Sequence, residues 1–321
     1  MEVFITHESA LEFWRRQRRS KVACRYRPSL RKPSNESPPI SGLRQKEAWG
    51  LSLPLDVMVS SLEARRSSKA VRPHVCSKAL PDACFLNAGG GLYVSSPEFC
   101  FFQMAHVYPL AKLIELGLEL CGSYSLSSKA HEGAAEGAIE QALYNLPKLT
   151  SANKLKAFCA RLEEWPGHRK AMNALRYIVD GSASPMESIL AILLTLPYRY
   201  GGYGFPMPEL NGRIDPIKGM KPFSGRGFYR GDLVWREARV VAEYNSDLEH
   251  ADPRSMAQDA IRRSDLALCG FTEVTVTKEQ LKSMMLLDKV ARQIAKKLRK
   301  QLRYENPGFF KACRKLRSML L

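Results

Sequence analysis

The chain has 321 residues, 45% hydrophobic and 25% charged, enough to bury a real core in two ordinary domains or in one large domain with extensions. Its formal net charge of +17 points to an anionic partner, with nucleic acid ahead of a membrane surface. The longest apolar stretch, Ile189 to Leu196, falls far short of the roughly 20 residues that a spanning helix needs, so no membrane partner is expected. Met1 to Arg19 is broken by His7, Glu8 and Glu12 and then turns basic, which does not read as a secretory leader. Eight scattered cysteines without a C-x2-C pair read as free thiols of a reducing cytoplasm rather than as zinc ligands.

In chain order, a short helix to about Gln17 carries Leu11, Phe13 and Trp14, and Arg18 to Pro39 is a basic connection rich in Pro and Ser. Residues 1–50 are therefore set apart as a basic, partly flexible N-terminal segment. From Leu51 to about Leu126, short apolar runs alternate with turns such as Asn87-Ala88-Gly89-Gly90-Gly91, after which Leu92-Tyr93-Val94 is strand-like. Ser96-Pro97-Glu98 opens an apolar helix, since Ser suits the N-cap and Pro the first helical position. Two more helices are expected between Ala152 and Val179, broken at Pro166-Gly167. Residues 51–180 thus read as a mostly helical α+β domain, closed by Asp180-Gly181-Ser182-Ala183. Residues 181–281 form a further domain, and 282–321 a basic helical extension. There Lys282 to Leu302 reads as one helix with Leu286, Val290, Ile294 and Leu298 on a stripe. Basic side chains surround the stripe, and Lys282 to Leu321 carries roughly ten of the net positive charges. Lys296, Lys297 and Lys300 are the candidate contacts to a nucleic-acid backbone.

The sharpest local pattern is Tyr229-Arg-Gly-Asp-Leu-Val-Trp235 followed by Arg236-Glu-Ala238 and then Arg239-Val-Val-Ala-Glu-Tyr-Asn245. Two runs rich in β-branched and aromatic residues flank a polar turn, which predicts a hairpin. With the turn centred on Glu237-Ala238, Asp232 stands opposite Glu243 and both carboxylates share a sheet face, with Asn245 on it too. Two acids so placed repel unless a proton or cation lies between them. A hard cation such as Mg2+ or Mn2+ fits, because it takes one or two carboxylates with water and phosphate oxygens. The same spacing also fits two solvated acids on an exposed face. Glu187, in Ser184-Pro-Met-Glu187, is either the third residue of a capping box or a further ligand. His250 could position a water or a phosphate, or be merely exposed. Asp259 and Arg262 have the spacing of a surface ion pair. No phosphate loop and no hydrolase triad stands out.

These residues carry a resemblance. Ser184-Pro-Met-Glu-Ser188, Asp232-Leu-Val-Trp-Arg-Glu-Ala-Arg239, Ala242-Glu-Tyr-Asn-Ser246, His250, Asp259-Ala-Ile-Arg-Arg263 and Gly270-Phe-Thr-Glu-Val-Thr-Val-Thr277 resemble motifs of bacterial endonuclease-like proteins. That group is related to very-short-patch-repair endonucleases, within the PD-(D/E)XK superfamily. His7-Glu-Ser-Ala-Leu11, His74 before Leu80-Pro81, and Gly91-Leu-Tyr-Val-Ser-Ser-Pro-Glu98 resemble the N-terminal region of AbiEi-type antitoxins. The resemblance implies an α/β fold with a restriction-endonuclease-like mixed sheet flanked by helices. It implies metal-dependent DNA cleavage by Glu187, Asp232 and Glu243, with His250 auxiliary and Arg262 and Arg263 on the nucleic acid. Where such proteins carry Glu-Tyr-Asp, this chain has Glu243-Tyr244-Asn245, so one negative ligand is missing and the site would be weakened. The alternative is a non-catalytic, antitoxin-like regulator that binds nucleic acid on the same fold.

Overall fold

The computed structural model describes residues 2–20, 26–33, 49–127, 139, 141–217, 219, 227–245, 253–302 and 307–321. It is a mixed α/β structure in which two mixed sheets and ten α-helices are found among the described residues. Also among them, no helix is long and apolar enough to cross a membrane.

The first sheet contains β1 (Val3–Ile5), β2 (Arg27–Ser29), β3 (Leu55–Val59), β4 (Val71–Val75), β5 (Phe85–Gly89) and β6 (Leu92–Ser95), in the order β2-β5-β6-β1-β3-β4. β1 lies inside the sheet, parallel to β6 and antiparallel to β3, and all three of its side chains are buried. The beginning of the chain is thus part of the sheet rather than a separate basic segment. A three-residue strand is too short to show the alternation by which strands are read. α1 (His7–Ser20) follows at once and packs Leu11, Phe13 and Trp14 into the core. α2 (Pro97–Val107) starts as expected: Ser96 Oγ accepts the Phe99 N–H at 3.3 Å and Pro97 is its first residue. Around it lie α3 (Leu110–Cys121), α4 (Ala152–Ala160) and α5 (His168–Ala174). Among the described residues of 51–180, four strands accompany these four helices.

The second sheet follows α6 (Pro185–Thr195). Its strands are β7 (Glu209–Ile214), β8 (Tyr229–Trp235), β9 (Val240–Asn245) and β10 (Thr272–Thr277), in the order β10-β9-β8-β7. β8 and β9 form the expected hairpin, Trp235 paired with Val240 across a turn at 236–239. β9 then crosses through α7 (Pro253–Leu268) to β10, which runs parallel to it, as a parallel connection requires. Leu233 of β8 and Ala242 of β9 face α6 and the main core, while Val234 and Val241 face Leu266 of α7 in a smaller cluster.

The C-terminal helix expected over 282–302 is interrupted. α8 (Lys278–Lys282) ends at Ser283, whose hydroxyl caps α9 (Met284–Lys297) by accepting the Leu286 N–H. The buried stripe is Leu287, Val290, Ala291, Ile294 and Ala295, rotated by one residue at its start because the helix begins anew after Ser283. α10 (Pro307–Leu320) adds Phe309, Cys313, Leu316 and Leu320 to the same core. It sits directly on Gly201: a Cβ there would lie 2.5 Å from the Ala312 backbone. The last forty residues therefore complete the core instead of extending from it.

α3 is held by charge. Glu119, buried among apolar side chains, accepts from Arg15 Nε at 3.0 Å and Nη2 at 2.7 Å, a bidentate pair, and from the Leu126 N–H at 2.9 Å. Burial alone would raise its pKa, but Arg15 holds the carboxyl below the usual range. One helical turn on, Arg18 donates to the carbonyls of Glu119, Gly122, Tyr124 and Pro147, satisfying acceptors that α3 leaves open at its C-terminus. Removing one partner of such a pair strands a buried charge, so Arg15→Met should lower stability by about 3–5 kcal/mol. Arg15→Met with Glu119→Gln, which keeps an acceptor for Leu126, should recover most of that loss in urea unfolding. Equal destabilisation of the single and double variants would remove the ion pair from this account.

Candidate functional site

Asp232, Glu243 and Glu187 come together from β8, β9 and the first turn of α6. The β8–β9 ladder ends at Leu233 paired with Ala242, and its register, continued one step, sets Asp232 against Glu243. There the strand pattern changes: Asp232 Oδ2 accepts the Tyr244 N–H at 2.8 Å, so a side chain takes a backbone donor. Asp232 and Glu243 stand close enough for each to act on the other's ionisation. Gly231 permits this approach, since a Cβ on it would lie 2.6 Å from Val241 and 3.5 Å from Glu243 Oε1.

Glu187 is reached from the other face of the sheet. Ser184 caps α6 by accepting the Glu187 N–H at 3.1 Å, as the Ser-x-x-Glu spacing predicts. The Glu187 side chain goes elsewhere: Oε2 accepts from the Ala183 N–H at 2.9 Å and from Asn211 Nδ2 at 2.7 Å. Asn211 is a site residue that the sequence reading missed. It sits in β7 between residues paired with Leu233 and Gly231, hence beside Asp232, and has a left-handed backbone with φ 49°. Asn211-Gly212 was a legible signal, because Asn tolerates that conformation.

A fourth carboxylate was also missed. Glu273 of β10 pairs in register with Val241, on the face that carries Glu243, and its Oε2 is buried without a hydrogen-bond partner. It lies within Gly270-Phe-Thr-Glu-Val-Thr-Val-Thr277, but a lone Glu in a Thr- and Val-rich strand carries no signal of a neighbour thirty residues earlier. Arg262 and Arg263 of α7 turn toward this cluster. Arg262 Nη2 donates to Glu243 Oε1 at 2.5 Å and to the Arg230 carbonyl at 2.6 Å, and Arg263 Nε lies 3.5 Å from Glu273 Oε1. Arg262 is thus engaged with Glu243 rather than only with its own helix.

The electrostatics follow from burial. Glu187 is pushed up to about 7 by burial and then by the charge of Asp232. Burial raises Asp232 against the opposing pull of the Tyr244 N–H and Arg262, and burial together with Asp232 drives Glu243 well above the usual range. The cluster therefore holds more negative charge than Arg262 and Arg263 neutralise, and it calls for a proton or a cation. Among the described residues, no group of three or more His, Cys, Asp or Glu side chains is placed to hold a metal ion. Mg2+ does not require one, since it binds through one or two carboxylates and keeps water and phosphate oxygens. On that chemistry Asp232 and Glu243 are the pair of carboxylates that could take part in holding a hard divalent cation.

The other sequence candidates are spread out. Asn245 ends β9 opposite Thr277, on the face of Glu243 by alternation. His250 lies outside the described residues. Lys296 and Lys297 are exposed at the end of α9, whereas Lys300 Nζ donates to the Gly204 carbonyl at 2.6 Å and helps close the core.

The raised Glu187 has a consequence for stability. Below its ordinary value of 4.5 it is protonated in the folded and the unfolded chain alike; between 4.5 and about 7 only the folded chain keeps the proton. Stability should thus fall as pH rises through that window, with the full cost, on the order of 3 kcal/mol, present above it. Glu187→Gln retains the acceptor oxygen and should flatten this dependence, gaining up to about 3 kcal/mol near pH 8 in metal-free urea titrations. Parallel pH profiles for the two proteins would show that Glu187 is not the group responsible.

No family model matches the chain, and no solved structure does. Similarity is found to two proteins of Mycobacterium tuberculosis, from strains CDC 1551 / Oshkosh and ATCC 25618 / H37Rv, both described as uncharacterized. Each is 32% identical over 133 residues, 39% of this chain and 44% of the relative's length. The chain thus spans less than half the length of the curated relatives it matches.

Proposed function

We propose that the chain is a divalent-metal-dependent DNA endonuclease whose second sheet is a restriction-endonuclease-like core of the very-short-patch-repair type. The observation that carries this reading is that Asp232, a buried acid of β8, raises both Glu187 at the start of α6 and Glu243 of β9. Buried carboxylates of like charge without enough compensating cations lower stability, and such arrangements concentrate where chemistry is done. Asp232 and Glu243 would hold Mg2+ or Mn2+, with Glu187 and Asn245 completing the polar surround. An ion held there would supply a water of lowered pKa and offset charge on a phosphodiester. The chain's own contribution is positional: Tyr244 N–H orients Asp232, Asn211 orients Glu187, and Arg262 balances Glu243. The excess of basic residues supplies attraction to a DNA backbone.

A second reading, a nucleic-acid-binding regulator on the same fold, is favoured by one contact. Arg262 occupies Glu243 Oε1, and Asn245 stands where such proteins carry an acid, so a cation has fewer negative ligands to meet.

Two experiments separate these readings. Asp232→Asn and Glu243→Gln preserve shape and remove one charge each. In a plasmid-nicking assay with Mg2+ or Mn2+, each should lose at least about a hundredfold in rate, and the double variant little more, because the carboxylates act as a unit. DNA binding by these variants should persist. Metal-independent binding with no cleavage by the natural protein would select the regulator. For the DNA surface, Lys296→Glu with Lys297→Glu should weaken binding and lower the slope of log K against log salt, each lost phosphate contact contributing about 0.9. An unaltered slope would place the DNA elsewhere.

A further inference from the structure

A second polar cluster lies at the junction of β1 and α1, away from the carboxylates. His7 has a left-handed backbone, φ 47°, and is held from several directions. Its N–H donates to Gln103 Oε1 at 3.2 Å, its carbonyl accepts from Cys100 Sγ at 3.6 Å, and its Nδ1 lies 2.6 Å from Thr6 Oγ1. The ring stacks on His74, centroids 3.8 Å apart and planes 18° apart. His74 Nε2 is 2.7 Å from Oδ1 of the buried Asp56, which fixes the second ring in turn. Burial and the neighbouring His74 lower His7 to about 3, so its ring is neutral at physiological pH.

These rings open on a cavity of about 490 Å³, within the range of small-molecule sites. Phe99, Phe102 and Trp165 form its apolar wall, and Arg65 and Lys78 are the cations on its lining. Among the described residues, no Asp or Glu lines it. Lys78 Nζ stands 5.9 Å from the centre of the Trp165 ring. Gln103 also lines the cavity and is 4% exposed; its Oε1 serves His7, whereas its Nε2 is buried with no partner. A buried donor left unpaired costs about 1–3 kcal/mol, which a ligand acceptor would remove. The lining therefore offers a flat aromatic wall, an unused amide donor and two exposed cations, of which Lys78 also donates to the Glu164 carbonyl at 2.8 Å, with the Asp56 carboxylate behind the histidines.

We propose that this cavity binds a small anion built on a flat ring, of the size and chemistry of a nucleoside monophosphate. The ring lies against Trp165 and the stacked histidines, Gln103 Nε2 donates to a ring oxygen or nitrogen, and Lys78 and Arg65 meet the phosphate. The same chemistry is presented by a free nucleotide and by the 5′-phosphorylated end of a single strand.

Calorimetry and tryptophan fluorescence on the full chain, with the four nucleoside 5′-monophosphates, their nucleosides and a 5′-phosphorylated tetranucleotide, test this. At least one monophosphate should bind, and its nucleoside should bind at least about tenfold more weakly. Arg65→Glu with Lys78→Glu, both at exposed positions, should weaken binding by at least about tenfold while leaving the fold intact. Gln103→Glu keeps the acceptor for His7 and removes the donor, and should abolish binding. Asp232→Asn should leave it unchanged, which keeps this site independent of the carboxylate cluster. Tighter binding of the tetranucleotide, with the same sensitivity to the variants, would assign the ligand to a strand end; preference for the monophosphate would assign it to a free nucleotide. Absence of binding by all these probes, or binding that survives the Arg65/Lys78 and Gln103 variants, would overturn the proposal.

Discussion

The fold turns on a buried carboxylate. Glu119 lies in α3, which packs against α2 and α5 on one side and α6 and α10 on another, so the first sheet's helices and the C-terminal helices meet around it. An acid in that position is tolerable only if a cation reaches it with good geometry and its remaining lone pairs are used. Arg15 and the Leu126 N–H meet both demands, and Arg18 extends the arrangement to the carbonyls beyond the helix. Because Arg15 and Arg18 both come from α1, β1 and α1 are tied to the middle of the molecule. One continuous core then runs from Val3 to Leu320, with both faces of the first sheet and one face of the second in it.

At the second sheet the same physics has the opposite outcome. Glu187, Asp232, Glu243 and Glu273 are drawn together by β-sheet register and by the start of α6, but Arg262 and Arg263 do not match them in number or burial. Arg262 is partly exposed and Arg263 more so, whereas the Glu243 and Glu273 side chains are nearly closed off from water. Where Glu119 is drawn below the usual carboxylate range, Glu187, Asp232 and Glu243 are raised above it. A surplus of buried negative charge that the fold leaves uncompensated is a reason to look for chemistry there rather than for a structural ion pair. Arg262 itself is well placed to stand in for a cation, since its guanidinium already rests on Glu243.

Local signals carried much of the design. The β8–β9 hairpin was legible because β-branched residues flank a polar turn, and its register followed from the turn's centre at Glu237-Ala238. The Ser184 and Ser96 caps were legible because a hydroxyl three residues before a helical N–H is a local arrangement. β1 was not, because three residues cannot display a period. The break at Ser283 was not, because the Lys282 to Leu302 pattern is continuous in hydrophobicity while a single side-chain cap restarts the helix.

The amino-acid sequence by itself determined the acidic pair Asp232 and Glu243, the basic excess and the starts of α2 and α6. Each of these depends on spacing within one element or on composition alone. Tertiary structure alone decided that Glu187 uses its carboxylate beyond its cap, that Asn211 and Glu273 join the cluster, and that Arg262 turns to Glu243 rather than to Asp259. It also decided that Lys300 closes the core while Lys296 and Lys297 stay in water. These outcomes rest on which residues of distant segments are brought within a few ångströms and how much water is excluded around them. A pKa, an ion pair or an unpaired amide is set by that surrounding, and no local pattern encodes it.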